Sequence, residues 1–530
     1  MRVSTRRLRR TIGPRAGVRG PVIGLLVGLT VSLGACGDGG TESGTSAGAS
    51  AEPGPEAVAR GLLRAVVVEG REETFTMEER MAHYAVPGIS VAVLRDGRVA
   101  WARGWGTADA ETGARVTPRT LFQAASISKP VAALAALSLV EEGALTLDGP
   151  IRDHLAGWEL PENEFTADSA VTLRHLLTHS AGTTVWGFPG YRKDQPFAGA
   201  DGEGRSERML ATNAEVLEGR GNTDSVRVFK EPGTSWRYSG GGYTVVEQAV
   251  EDVSGLPFEE AARRRVLEPA GMVHSTYAQP LPRNRWTEAA RAHDTTGEEL
   301  PGEWHNYPEQ AAAGLWTTPT DLLTLSAHLL AILRGDEETE GVLSRSMLEA
   351  ALTPHHPGEE RYQGWGLGFS LDDAEGTETF GHGGSNAGFK AQWTVHRASG
   401  DGIAVMTNGE RGTALAAEVI RAAAWAYGWP RPRPSVRAVR STGAEDLREL
   451  EGVYQMVDRP EVELEIRAWD DSLTVDVSTQ GRATLLPAAE PAGEFFDPDD
   501  GSVLTFLRGD GGEVIAAANG SGQRFARRIP

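Results

Sequence analysis

Ser126 and Lys129 stand three residues apart in the run Ser126-Ile127-Ser128-Lys129, which opens an apolar stretch of helical periodicity reaching Glu142 and closed by Gly143. Residues i and i+3 share a helix face, so the Ser126 hydroxyl and the Lys129 amine can meet. A serine alcohol is a poor nucleophile near neutral pH and needs a base beside it. A lysine can serve once burial or neighbouring cations favour the uncharged amine. A serine in the first turn also lies among free backbone N–H groups, at the positive end of the helix dipole, where an oxyanion would be stabilised. Taken alone, the pattern fits a helix cap followed by a surface lysine equally well. Lysine is scarce in this chain, however: Lys129, Lys193, Lys230 and Lys390 are the only four. Arginine carries nearly all the positive charge, so a lysine at such a position is a candidate for a role that requires lysine.

Two glycine-rich segments add to this pair. Glu231 to Tyr243 (EPGTSWRYSGGGY) places Tyr238 at the mouth of a glycine turn before a helical run. Gly381 to Phe389 (GHGGSNAGF) is expected to lead into a strand from Phe389 to His396. With Ser126 and Lys129, these segments make the chain resemble the serine penicillin-recognising hydrolases, in particular the class C β-lactamase-like branch with its β-lactamases, DD-peptidases, D-aminopeptidases and esterases. Three motifs occur in order: S-x-x-K at Ser126 and Lys129, the tyrosine motif at Tyr238, and the Lys/His-x-Gly motif at His382-Gly383-Gly384. Supporting stretches are Val171–Gly182 (VTLRHLLTHSAG), Ala313–Leu322 (AGLWTTPTDL) and Gly364–Phe369 (GWGLGF). The resemblance spans roughly residues 70 to 425.

What it implies is an acyl-enzyme hydrolase acting on an ester or amide. Ser126 would attack the carbonyl carbon. Lys129 and Tyr238 would share the proton transfers, with the choice of base left open. The oxyanion would sit between the backbone N–H groups of Ser126 and of Ser385, next to His382, Gly383 and Gly384. No metal or organic cofactor is implied, and the substrate is a small molecule or peptide. A penicillin-binding or sensor protein acylated at Ser126 with little turnover is the alternative. Two departures bear on the substrate. Gly240 stands where the family's Tyr-x-Asn motif carries the asparagine that binds a substrate amide. His382 replaces the lysine common in β-lactamases and transpeptidases. A histidine of ordinary pKa is partly charged at neutral pH, so its attraction for a substrate carboxylate is expected to weaken as the pH rises.

The elements that must position these groups are legible in outline. Val86–Leu94 and Arg98–Ala102 read as a hairpin turning at Asp96-Gly97. Mixed helical and strand-like patterns continue to Trp429. With the resemblance, the fold class expected is α/β (α+β): an antiparallel sheet flanked by helices and joined to a helical lobe. Residues 430–443 (PRPRPSVRAVRSTG) look like a linker. Beyond them, alternating segments around Val462–Ile466, Leu473–Val477 and Val503–Leu507 predict a small antiparallel β domain over 444–530, similar to the lipocalin-like appendages of some family members.

The N-terminus reads differently. Arg2, Arg6, Arg7, Arg9, Arg10, Arg15 and Arg19 precede an apolar run from Pro21 to Leu33, too short to span a bilayer with ease. It ends Leu33-Gly34-Ala35-Cys36, which resembles a bacterial lipobox, and Cys36 is the only cysteine. The expectation is a signal peptide over 1–35, lipid attachment at Cys36, a flexible Gly/Ser/Thr-rich tether over 36–55 and a hydrolase domain over 56–429. The protein would then be exported and anchored to the cell envelope, by a Sec or a twin-arginine route. A net charge of −21 disfavours nucleic acid as a partner. His175 and His179 lie four apart, but no third ligand supports a metal there. His355-His356 reads as a surface turn. Among the tryptophans, Trp186 and Trp316 are candidates to line a cleft.

Overall fold

The computed structural model describes residues 52–195, 197, 210–336, 341–355, 364–373, 377–477 and 481–528. Cys36 and its flanking segments lie outside them. Among the described residues no helix is long and apolar enough to cross a membrane.

An eight-stranded antiparallel sheet organises the hydrolase domain. Its spatial order is Ala114–Arg115, Arg98–Asp109, Gly88–Arg95, Gly402–Thr407, Phe389–His396, Thr379–Asn386, Ser370–Asp372 and Gly364–Trp365. The hairpin at Asp96-Gly97 forms as expected. Both turn residues adopt positive φ, 49° and 77°, the geometry of a primed turn whose twist matches the strands it joins. Side chains alternate across the sheet, and both faces are covered. Ala92, Leu94, Ala404 and Met406 join the large core that contains the helices Ser128–Glu141, Gly240–Ser254 and Pro319–Arg334. Val91, Val93, Ile403 and Val405 face a second core built with Met77–His83 and Gly412–Ala426. The result is the expected helix–sheet–helix sandwich with a helical lobe on one side.

One local expectation needs correction, and another needs extending. The helix from Ser126 to Glu142 is a 3₁₀ turn, Ala125–Ile127, followed by an α-helix, Ser128–Glu141. Ser128 accounts for the break: its hydroxyl donates back to the Ala125 carbonyl at 2.6 Å and accepts the Leu315 N–H at 3.0 Å. The strand expected from Phe389 to His396 forms, and the stretch Gly381 to Asn386 that leads into it is itself part of a strand, Thr379–Asn386, paired with it in the register His382↔Trp393 and Ser385↔Lys390. The glycines permit close packing. A Cβ at 381 would lie 2.0 Å from the Trp393 carbonyl oxygen.

The C-terminal strands close into an eight-stranded barrel running from Gly452–Met456 to Arg524–Arg527. Its interior is filled by Tyr454, Ile466, Leu473, Phe495, Phe525 and their neighbours, as expected at this strand number. The stretch read as a linker is not a free tether, since Ser435–Arg437 pairs in parallel with Val66–Val68. A buried ionic cluster adds a second tie. Arg80 donates through Nε and Nη2 to the two Glu418 oxygens at 2.7 and 2.6 Å, and through Nη2 to Asp499 of the barrel at 2.7 Å. Tyr84 donates to Glu418 at 2.7 Å, and His83 lies 2.6 Å from Asp499. Removing one member of such a set leaves a buried charge short of a partner. Asp499→Ala should therefore lower stability by about 1.5–3 kcal/mol, the scale of a lost charged hydrogen bond. Urea unfolding of the full chain checks this, and an unchanged midpoint would show that the barrel contact carries no stability.

Candidate active site

Between Leu121 and Leu139 every residue is buried except Ser126. What brings it to the surface is the backbone just before it. Ala124 is held by its N–H to the Leu315 carbonyl at 2.8 Å, and Ala125 takes a left-handed conformation at φ 49°. For a residue with a Cβ that conformation costs roughly 1–2 kcal/mol. It turns the chain so that the next side chain leaves the core.

Lys129 follows on the helix and is 2% exposed. Its Nζ lies 3.0 Å from Ser126 Oγ and donates to the Ala312 carbonyl at 2.8 Å. Among the described residues it forms no ion pair with a carboxylate. Burial alone pushes its pKa down to about 7, so a large share of the amine is uncharged at neutral pH. The Ala312 carbonyl is itself held in place. It belongs to the short helix Gln310–Ala313, whose Ala311 N–H donates to buried Glu247 at 2.9 Å. Desolvation holds the Glu247 carboxyl well above the usual range.

Tyr238 sits immediately before Ser239, the N-cap of Gly240–Ser254, whose hydroxyl accepts the Gly242 N–H at 3.1 Å. The Lys129 amine lies 5.0 Å from the centre of the Tyr238 ring. Serine, lysine and tyrosine thus come together from the 3₁₀ turn, the central helix and a helix start more than a hundred residues away. On the opposite wall runs the strand Thr379–Asn386. A Cβ at Gly384 would fall 2.1 Å from the Ala124 carbonyl oxygen, so this glycine lets the strand press against the turn that carries Ser126. Gly383 is half-buried beside it, and Ser385 is exposed one residue further on.

His382 requires a correction. It is buried, and its Nδ1 donates to the Gly383 carbonyl at 2.5 Å. Desolvation, with the nearby Lys129 adding to it, pushes its pKa down to about 3. A partly charged histidine whose pull on a carboxylate fades across neutral pH is therefore not what the fold builds. His382 stays uncharged, with its buried Nε2 unpartnered.

His179 was legible as half of a possible metal pair and does something else. His175 receives the Thr172 N–H at 3.4 Å and lies against Gly233. The helix Leu173–Leu177 ends before His179, whose φ of 56° sends its ring elsewhere. That ring lies 4.2 Å from the Tyr238 ring, and its Nδ1 accepts the Ser239 N–H at 3.2 Å. Burial, then Lys129 and His382, hold it well below the ordinary histidine pKa. Its place in Val171–Gly182 and its spacing from His175 were the sequence signals for it, and neither pointed to Tyr238. No group of three His, Cys, Asp or Glu able to hold a metal occurs among the described residues. Trp186 is 50% exposed and its ring stands 5.6 Å from that of Tyr238, whereas Trp316 is 0% exposed and cannot line a cleft. His355 is half-buried, 3.0 Å from Arg174 and hydrogen-bonded to the Ala350 carbonyl, while His356 lies outside the described residues.

A family model described as Beta-lactamase matches residues 76–427. The chain is similar to "Esterase EstB" of Burkholderia gladioli, with 28% identity over 61% of this chain and 86% of that protein. It is also similar to "Penicillin-binding protein 4" of Amycolatopsis lactamdurans, with 26% identity over 64% of this chain and 86% of the relative. Among solved structures, the octameric penicillin-binding protein homologue from Pyrococcus abyssi aligns with a TM-score of 0.57 at 23% identity, over 85% of this chain and 98% of that one. That last likeness establishes shared fold.

The buried amine has a cost that can be measured. In the unfolded chain Lys129 binds its proton up to its ordinary pKa of 10.5, whereas the folded protein gives it up from about 7. Stability is therefore reduced by the full penalty below pH 7 and recovers as the pH rises toward 10.5. Lys129→Met should be more stable than the parent at pH 7 by about 1–3 kcal/mol, the penalty less the hydrogen bonds removed. In urea unfolding this gap should narrow toward pH 10; a gap that is absent or constant with pH would mean the amine is charged in the fold.

Proposed function

Because the chain belongs to the Beta-lactamase family, we propose that it is a serine hydrolase working through an acyl-enzyme, with carboxylic esters as its substrates. The observation that carries this reading is the pairing of the one surface-reaching residue of its segment, Ser126, with a buried amine 3.0 Å away whose pKa burial pushes down to about 7. In this mechanism Ser126 Oγ attacks the ester carbonyl carbon as its proton passes to Lys129 Nζ. The tetrahedral oxyanion rests against the N–H groups of Ser126 and Ser385. Collapse breaks the bond to the alcohol oxygen, which receives a proton through Lys129 and Tyr238. Water repeats the sequence on the acyl-enzyme, leaving the carboxylic acid and free Ser126.

Esters are favoured over β-lactams and peptides by what the site lacks. Gly240 offers no side chain to a substrate amide, and His382 offers no cation to a substrate carboxylate. The same gap speaks against a penicillin-binding role with little turnover. The lipobox-like Leu33–Cys36 supports export and lipid anchoring through Cys36 as part of this reading. Cys36→Ser should then move the protein from the membrane to the soluble fraction without loss of hydrolysis. Unlipidated parent protein in the cytosol would refute the anchor.

A fluorophosphonate probe should label the parent but not Ser126→Ala, and Lys129→Ala should slow labelling by about 10² or more. Short-chain p-nitrophenyl esters should be hydrolysed with a rate that rises through about pH 7 as Lys129 loses its proton. Cephalosporin turnover exceeding ester hydrolysis would overturn the substrate assignment.

A further inference from the structure

Tyr238 lies between the helices Asn213–Leu217 and Gly240–Ser254 and belongs to no helix or strand, so no regular ladder fixes its ring. The chain on both sides of it is held by one residue. Arg237 N–H donates to the His179 carbonyl at 2.8 Å, and Ser239 N–H donates to His179 Nδ1 at 3.2 Å. The His179 ring also lies against the ring of Tyr238, with centroids 4.2 Å apart and planes inclined by 37°. Contacts before, after and beside the tyrosine thus converge on His179.

His179 is itself firmly seated. The rings of Trp365 and Tyr243 stand 4.9 and 5.4 Å from its own. Both donate to the Leu177 carbonyl, at 3.3 and 3.1 Å, and Gly233 N–H donates to the Ser180 carbonyl at 2.8 Å. These bonds bracket the left-handed turn at His179, φ 56°. An imidazole that accepts a hydrogen bond at Nδ1 carries its proton on Nε2 and is uncharged, because both nitrogens of an imidazolium are donors. Burial, with Lys129 and His382 nearby, favours that uncharged form. With 2% of its surface exposed, His179 is set too deep to meet a substrate.

We infer that His179 is a positioning residue for the hydrolysis: in its Nε2–H form it fixes the place of the Tyr238 hydroxyl that helps return the proton to the leaving alcohol. This rests on the acyl-enzyme reading and adds what holds its tyrosine. The test compares kcat/KM for ethyl butyrate, whose alkoxide must be protonated to leave, with p-nitrophenyl butyrate, whose phenolate leaves without a proton. His179→Gly tolerates the left-handed turn and offers no acceptor; His179→Asn tolerates the turn and brings an amide oxygen close to the place of Nδ1. His179→Gly should lose about 10–10² on the ethyl ester, the scale of a misplaced proton-transfer group, and much less on the nitrophenyl ester. His179→Asn should recover most of the loss. Tyr238→Phe should show the same split between the two esters, and adding His179→Gly to it should cost little more, because no hydroxyl is left to place. Near-ultraviolet circular dichroism and urea unfolding verify that each variant is folded. Should His179→Gly not fold, His179→Gln, whose amide reaches toward the place of Nε2 and not of Nδ1, replaces it in the comparison. If the parent hydrolyses neither ester, the acyl-enzyme reading falls and this inference with it. If the parent hydrolyses both, this inference alone is overturned by equal losses on the two esters, by a loss that multiplies in full with that of Tyr238→Phe, or by parent-like rates in folded His179→Gly or Tyr238→Phe.

Discussion

A lysine buried without a carboxylate is the constraint on which the rest of the site depends. Folding ordinarily avoids this, because an ammonium in a dry interior loses hydration that nothing returns. Here the loss is put to use, since the amine can reach neutrality only where desolvation is not offset by an opposite charge. The surroundings maintain that condition. The groups placed near Lys129 are a backbone carbonyl, aromatic rings and two imidazoles that are themselves held uncharged. The buried acids of the region are kept a layer away. Glu247 reaches Lys129 only through the helix it caps.

The second cost is conformational. Among the described residues, seven with side chains hold positive φ, and three of them, Ala125, His179 and Val185, lie in or beside the elements that carry Ser126 and Tyr238. Ala125 turns Ser126 outward, His179 turns its ring under Tyr238, and Val185 ties its segment to the start of the helix Gly240–Ser254. Such conformations persist only where surrounding bonds over-determine them. The Ala124–Leu315, Ser239–His179 and Gly241–Val185 hydrogen bonds do so here. The sheet and central helix supply a rigid frame on which these local departures can be maintained.

This division explains what the residues alone could convey. The hairpin at Asp96-Gly97, three of the barrel's eight strands and the Ser126–Lys129 pair follow local rules of turn chemistry, alternation and helix spacing, and these were legible. The break at Ser128 was not, because it depends on Leu315, nearly two hundred residues away. The strand character of Gly381–Asn386 was hidden for a related reason. Its glycines look like a loop until Trp393 and Ala124 are known to press against them. The contact of His179 with Tyr238 escaped because it does not follow from sequence spacing: it needs a left-handed turn. The ordinary pKa assumed for His382 failed because burial is a tertiary property.

The charge state of the site then bears on its chemistry as a whole. Lys129, His179 and His382 are three basic groups gathered around one tyrosine, and mutual repulsion with burial keeps the two histidines neutral. Under the proposed mechanism, the proton leaving Ser126 passes to an amine whose affinity for it is lowered by burial alone. A substrate carrying a carboxylate would alter that balance by stabilising the ammonium, raising the lysine pKa and weakening it as a base. A neutral ester leaves the amine as burial made it. Under the proposed ester mechanism, the electrostatics that would activate Ser126 and those that would select the substrate are thus one property of the same buried cluster.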